Sequence, residues 1–185
     1  SDLRSSGVQA YLMTILESDL MPLVDGIALH PMYDSSPAHD ELRQYYDGYP
    51  ALLQRIKNTA SAHGFTGEYF SEEMTWRSSL FPSDNVEWTY TETVTAKYYA
   101  RGIVINRGLG LYAGIGGECY DCYPDVVRIV QNLNTVLAGA QPANGSPMQI
   151  GSEAAASIHA YWFSLSNGDY LVALWTNGIA VDNDP

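Results

Sequence analysis

Apolar residues recur at helical spacing near the start of the chain. Val8, Leu12, Ile15 and Leu16 fall on one stripe of the segment 8–20, VQAYLMTILESDL, which predicts an amphipathic helix. The next segment, LVDGIALH at 23–30, is a short apolar run ending in His30-Pro31. Proline supplies no backbone N–H, so a central strand should stop there. From Pro37 to His63 the pattern turns helical again, in two pieces. The first lies near 38–47; the second starts at Pro50 and carries Leu52, Leu53, Ile56 and Ala60 at three-to-four spacing, with Gly64 as its stop. Residues 67–74, GEYFSEEM, read as the next strand. Asp84-Asn85-Val86-Glu87 resembles a capping box with Asp in place of Ser or Thr, and it opens a long helix to about Arg107. Leu109 to Ile115 forms a third, small-residue strand, and Pro124 sits where a proline would start a helix running to about Ala138.

Strands therefore begin near 24, 67 and 109, each followed by a helix, a repeat of about 42 residues. Such alternation implies parallel strands with helical crossovers, hence an α/β architecture, either part of a barrel or an open doubly wound sheet. Gly110, Gly114, Gly116 and Gly117 are closely spaced, but no strand-turn-helix frame surrounds them, and Glu118 follows. A nucleotide site is not supported. The last part of the chain changes character. Residues 141–149 are linker-like, and 158–163 and 170–176 alternate around Ser166-Asn167-Gly168-Asp169, a strong hairpin signal. The expected organisation is thus an α/β portion at 1–140, a linker at 141–149 and an antiparallel β segment at 150–185. A lone hairpin is marginal in water, so it must pack on the α/β part, on another chain or on further sequence.

Composition narrows the partners. Nine Lys and Arg against 21 Asp and Glu give a formal net charge of −12 over 185 residues, and 46% of the chain is hydrophobic. That is enough apolar material for a sizeable core, while polyanions such as nucleic acid or anionic membranes are poor partners for so acidic a surface. No apolar run approaches the roughly 20 residues that span a bilayer, and the first residues, SDLRSSGVQAY, lack the profile of a signal peptide. Low lysine, acidic pI and abundant tyrosine fit an extracellular or periplasmic protein, and also many cytosolic ones. Cys119 and Cys122 have C-x-x-C spacing, but zinc wants four ligands and no second pair exists; a local disulfide or two free thiols is the simpler expectation. Asn144-Gly145-Ser146 matches a glycosylation sequon.

In parallel α/β folds the chemistry sits at the carboxyl ends of the strands. The first end here offers His30, Tyr33 and Asp34, the second Glu72, Glu73 and Trp76, the third Glu118, Tyr120 and Asp121. Carboxylates beside flat aromatic surfaces suit glycoside hydrolysis, whose acid and nucleophile are both carboxyl groups and whose sugar rings stack on aromatic faces. The run VDGIALHPMYD, then GEYFSEEMTW, a long helix and GLGLYAGIGG, resembles strands six to eight of the retaining TIM-barrel glycoside hydrolases with two catalytic glutamates. IHAYWFSLSNGDYLVALWTNG is similar to the β-sandwich strands that follow the barrel in xylosidase- and arabinofuranosidase-like members.

The resemblance implies a partial TIM barrel followed by the start of a β-sandwich. In those families strand seven ends in a Thr-Glu-x-Gly-Trp-like pattern whose glutamate is the nucleophile. Counting back from Trp76 gives Glu73, with Glu72 and Thr75 departing from the pattern and Glu72 kept as the alternative. Because strand residues alternate, Glu72 and Glu73 are expected on opposite faces. His30 and Tyr33 match a His-x-Tyr-like end of strand six that borders the sugar; Trp76, Glu118 and Tyr120 complete the expected substrate contacts. The resemblance implies no metal or organic cofactor. The family's acid/base glutamate follows Asn on strand four, and no Asn-Glu pair occurs here, so the chain is expected to hold half of a site and to self-associate or accept a complementary chain supplying the missing strands. The same residues also admit plainer roles: a solvated Glu72-Glu73 pair, a hydrogen-bonded His30, tyrosines that pack or line a rim. The rival reading is a non-catalytic carbohydrate-binding or assembly protein built on a barrel remnant.

Overall fold

The computed structural model describes residues 2–79, 89–116, 123–143, 151 and 157–182. It is a mixed α/β structure in which four helices accompany parallel and antiparallel sheets. The described residues contain no closed barrel. Two compact units form: Ser1–Trp76 with Leu111–Glu118, and Arg77–Gly110 with Cys119–Pro185.

The first unit carries α1 (Ser6–Leu16), β1 (Gly26–Leu29), β2 (Met32–Tyr33), α2 (Asp40–Ala62), β3 (Glu68–Ser71), β4 (Met74–Thr75) and β5 (Tyr112–Ala113). β1, β3 and β5 form one parallel sheet in that order, and β2 pairs with β4 in a second, also parallel. Gly26 faces Glu68 and Phe70 faces Tyr112, an offset of 42 residues in both ladders. The repeat read from the sequence is therefore a structural one. Ile27 and Leu29 on β1 and Tyr69 on β3 are buried, as is the stripe Leu42, Tyr46, Tyr49, Leu53, Ile56 and Ala60 along α2. Each leucine or isoleucine among them contributes about 1.5–3 kcal/mol on leaving water. This continuous stripe explains why α2 runs unbroken with Pro50 inside it, where two separate pieces were expected: burial on both sides of the proline outweighs the roughly 3 kcal/mol it costs.

The other face of the sheet is open. Gly26, Ala28, Glu68 and Tyr112 are exposed, Phe70 and Tyr112 stack with ring centroids 5.1 Å apart, and the Tyr112 hydroxyl donates to Glu68 Oε1 at 2.9 Å.

The second unit holds α3 (Glu92–Gly108), α4 (Pro124–Val136) and the antiparallel sheet β6-β7-β8, with β6 at Gln141–Pro142, β7 at Ile158–Ser164 and β8 at Tyr170–Thr176. Thr91 caps α3 by accepting from the Val94 amide; the capping box expected at 84–87 lies outside the described residues. Pro124 starts α4 as expected. Within this unit α3 packs with the hairpin. Gly108 admits the Tyr161 ring so closely that a Cβ would lie 2.2 Å from Tyr161 Cδ1. Arg101 donates to the Gly178 carbonyl and Lys97 to that of Val181, both at 2.8 Å. The hairpin thus finds its support on α3, and Phe163 is buried. Its turn differs from the simplest Asn-Gly type. Only Gly168 has positive φ, at 88°, and its amide donates to the Leu165 carbonyl, which is a longer loop with glycine in the left-handed position. β8 is an edge strand among the described residues.

Candidate functional site

The site is built where two ladders break at the same level. Leu29 faces Ser71, and the Glu72 amide donates to the Leu29 carbonyl at 2.8 Å. The next rung of a parallel ladder would run from the amide of residue 31 to the Glu72 carbonyl, and residue 31 is proline. Pairing resumes in unchanged register with Met32 opposite Met74 and Tyr33 opposite Thr75, and the Asp34 amide then donates to the Thr75 carbonyl at 2.7 Å. The segment 67–74, expected as one strand, is accordingly two, with Glu72 and Glu73 in the gap.

That gap changes where the glutamates point. Glu72 Oε2 lies 3.4 Å from His30 Nε2, and Glu73 Oε2 lies 3.4 Å from His30 Nδ1. Both carboxylates reach one imidazole, in place of the opposite faces that strict alternation predicts, because the unpaired stretch is free of the pleat. The Tyr33 hydroxyl is 2.8 Å from Nδ1 of the same ring. Burial, together with the hydrogen bond to Glu73 and the charge of that carboxylate, pushes the Tyr33 phenol up to about 12. His30 and Glu73 keep about a third of their side-chain surface, at 29% and 32%, whereas Glu72 at 64% stands well out.

Neighbouring groups hold the cluster in place. His30 bridges to Asp2 through the main chain, and Arg4 bonds the Asp2 carboxylate at 2.6 Å and the Tyr33 carbonyl at 2.8 Å. Burial alone would raise the Asp2 carboxyl, but the bonds from Arg4 prevail and hold it below its ordinary value. The Tyr45 hydroxyl on α2 donates to the Pro31 carbonyl. Asp34, buried with φ at 49°, turns the chain away beyond Tyr33. From the third strand end, the Gly114 amide donates to the Ser71 carbonyl and the Gly116 amide to that of Met74.

These glycines are the part of the site that sequence reasoning missed. A Cβ at Gly114 would sit 2.6 Å from the Glu72 carbonyl oxygen, and one at Gly116 only 1.9 Å from Glu73 Cγ. The glycine run was legible, but its use is to give room to two glutamates.

The structure thus brings His30, Tyr33, Glu72 and Glu73 together. Trp76 is placed otherwise. It is wholly buried, and its indole N–H donates to the Ser35 carbonyl at 2.9 Å, so it props up the strand ends and offers no face to a sugar. Glu118, Tyr120, the Cys119-Cys122 pair and the Asn144 sequon lie outside the described residues. A cavity of about 550 Å³ in the second unit, lined by α3, β8 and residues 179–181, includes none of the expected site residues. Among the described residues no group of three or more His, Cys, Asp or Glu side chains is disposed to hold a metal ion, and no helix is long and apolar enough to cross a membrane.

Compared with protein-family models, curated proteins and solved structures, the chain matches none of them.

Proposed function

We propose that the chain is part of a retaining glycoside hydrolase, a barrel remnant with the start of a β-sandwich, in which Glu73 is the nucleophile. One observation carries the reading: His30, Tyr33, Glu72 and Glu73 converge at the carboxyl ends of adjacent parallel strands, where parallel α/β folds place their chemistry. Glu73 is the better nucleophile of the two glutamates because it is more enclosed and hydrogen-bonded to Tyr33. Its carboxylate attacks the anomeric carbon as the glycosidic C–O bond breaks, giving a covalent glycosyl ester that water then hydrolyses. His30 and Tyr33 orient the sugar or the nucleophile. The proton donor to the leaving oxygen comes from outside the described residues, and the reaction uses no metal or organic cofactor.

The open face of the β1-β3-β5 sheet supports the barrel remnant. Parallel sheets are ordinarily covered on both sides, and Gly26, Ala28, Phe70 and Tyr112 would face the interior of a closed barrel. Self-association or a complementary chain completes that face in this reading. The acidic, lysine-poor composition fits an extracellular or periplasmic setting.

The test uses 2-deoxy-2-fluoroglycosides with a dinitrophenolate leaving group, which departs without a proton donor. A mass gain of one fluoroglycosyl group, located on Glu73 by peptide mapping and lost in Glu73→Gln, is the expected result. Oligosaccharide binding that persists in Glu73→Gln, with no covalent label from any sugar of the panel, overturns the enzyme reading in favour of a carbohydrate-binding protein.

A further inference from the structure

We propose that the cavity of the second unit is a binding site for a small organic anion, its carboxylate held by Arg101 with Lys97 and its apolar body set against the aliphatic walls. The site shares no residue with the His30-Glu73 cluster and does not depend on the glycosidase reading.

The walls follow from the sequence. Lys97, Ala100, Arg101 and Val104 fall at i, i+3, i+4 and i+7 of α3, hence on one helical face. The end of β8 and residues 179–181 face them across the cavity. Three hydrogen bonds tie the last of these walls to α3. Arg101 Nη1 donates to the Gly178 carbonyl at 2.8 Å, the Ala180 amide to the Tyr98 hydroxyl at 3.2 Å, and Lys97 Nζ to the Val181 carbonyl at 2.8 Å. A wall anchored in this way is formed before any ligand arrives, which spares the cost of ordering it on binding. The small side chain of Ala100 helps leave the space open, and about 550 Å³ remain, within the range of small-molecule sites.

Two features of the lining define the ligand. The first is apolar. Leu174, Ile179 and Val181 each stay about half exposed, and all three border this one cavity. Large aliphatic side chains gathered in this way mark an interaction site, which singly scattered ones do not. The second is charge. With 21 acids against nine bases, a base without an acid stands out. Arg4, Arg43 and Arg128 each meet an aspartate. Arg101 is half-buried and meets no carboxylate among the described residues; its guanidinium lies over the Tyr98 ring at 5.5 Å. One N–H goes to Gly178, and a guanidinium has five. A carboxylate matches that fork with two parallel hydrogen bonds, and Lys97 adds a second positive charge on the same helical face. An inorganic anion would leave the aliphatic walls bare, and a neutral apolar molecule would leave Arg101 uncompensated. An organic anion answers both.

The probe is 4-phenylbutyrate, with 4-phenylbutyramide as its uncharged counterpart. In titrations followed by methyl carbon–proton NMR, the carboxylate should bind saturably and shift the methyl signals of Leu174, Ile179 and Val181. The amide should bind at least about tenfold more weakly, and Arg101→Gln should lose a similar factor for the carboxylate; Arg101→Lys should keep part of the affinity. Because Arg101 also holds Gly178, Ala100→Leu supplies an independent arm. It fills the cavity, leaves both cations and their main-chain bonds in place, and should abolish binding at the parent's melting temperature. Equal affinity for acid and amide, shifts confined to other methyl groups, or undiminished binding by Ala100→Leu overturns the proposal. So does the absence of saturable binding below about 10 mM. Cavity methyl signals that already move on diluting the chain without probe give the site to a second copy, and overturn it as well.

Discussion

Gly116 and Glu73 share one volume: a Cβ on the glycine would come within 1.9 Å of the glutamate's Cγ. The obstructing atom belongs to a partly exposed side chain, which can swing aside. Gly116→Ala should therefore displace the Glu73 carboxylate while costing about 1 kcal/mol or less of stability. The expected outcome is at least a tenfold slower fluoroglycoside labelling with a melting temperature within a few degrees of the parent.

Gly114→Ala should behave in the opposite way. Its Cβ would meet the Glu72 main-chain oxygen at 2.6 Å and the Ser71 oxygen at 3.1 Å, and main chain held by the Gly114–Ser71 hydrogen bond and the flanking β1–β3 ladder cannot move aside cheaply. A loss of about 1–3 kcal/mol is expected from such overpacking, read as a lower midpoint in urea. An unchanged midpoint would show that β5 does not approach β3 as described.

Pro31→Ala restores the amide that the missing rung requires. The ladder should close from Leu29 to Met32, and the pleat should again send Glu72 and Glu73 to opposite faces. His30 then loses one carboxylate neighbour. The measurement is a crystal structure of the variant, expected to show one of the two carboxylates well beyond the 3.4 Å at which both now approach the imidazole.

Tyr33 gives a pH dependence with a defined sign. Its phenol titrates near 10 when unfolded and about 12 when folded, so the folded state holds this proton more tightly. The stabilisation is complete below pH 10 and is lost as pH rises through 12. Unfolding midpoints of the parent should fall more steeply between pH 10 and 12 than those of Tyr33→Phe.

Trp76→Phe leaves the Ser35 carbonyl without its indole donor in a fully buried setting. A loss of about 2–4 kcal/mol is expected from the missing hydrogen bond and volume, with oligosaccharide affinity unaltered in calorimetry if the variant is measured well below its melting temperature.

Much of this arrangement was legible in the sequence. The 42-residue spacing foretold three parallel strands in constant register, His30-Pro31 marked the end of β1, and Asn167-Gly168 marked the hairpin. What escaped was non-local. Alternation at Glu72-Glu73 assumes an intact ladder, and the break is caused by Pro31 in the neighbouring strand. The fate of Trp76 depended on the Ser35 carbonyl, the use of Gly114 on main-chain atoms of Glu72 and Ser71, and that of Gly116 on the Glu73 side chain, all some 40 residues earlier in the chain. α2 ran through Pro50 because tertiary burial outweighed a local breaker. Spacing announces elements, whereas cross-strand neighbours decide what each side chain does.

β8, the rim of the antiparallel sheet among the described residues, reads Tyr-Leu-Val-Ala-Leu-Trp-Thr, seven residues with no charge and no proline. Such a rim is what proteins usually guard with lysine or proline against adhesion to other extended chains. Here the safeguard is global: a net charge of −12 keeps molecules apart at neutral pH. That repulsion fades within about 10 Å in 0.1 M salt and vanishes near the isoelectric point of about 4.4. Colloidal behaviour should accordingly be lopsided, with clear solutions in dilute alkaline buffer and turbidity on salting or mild acidification, before any loss of helix signal.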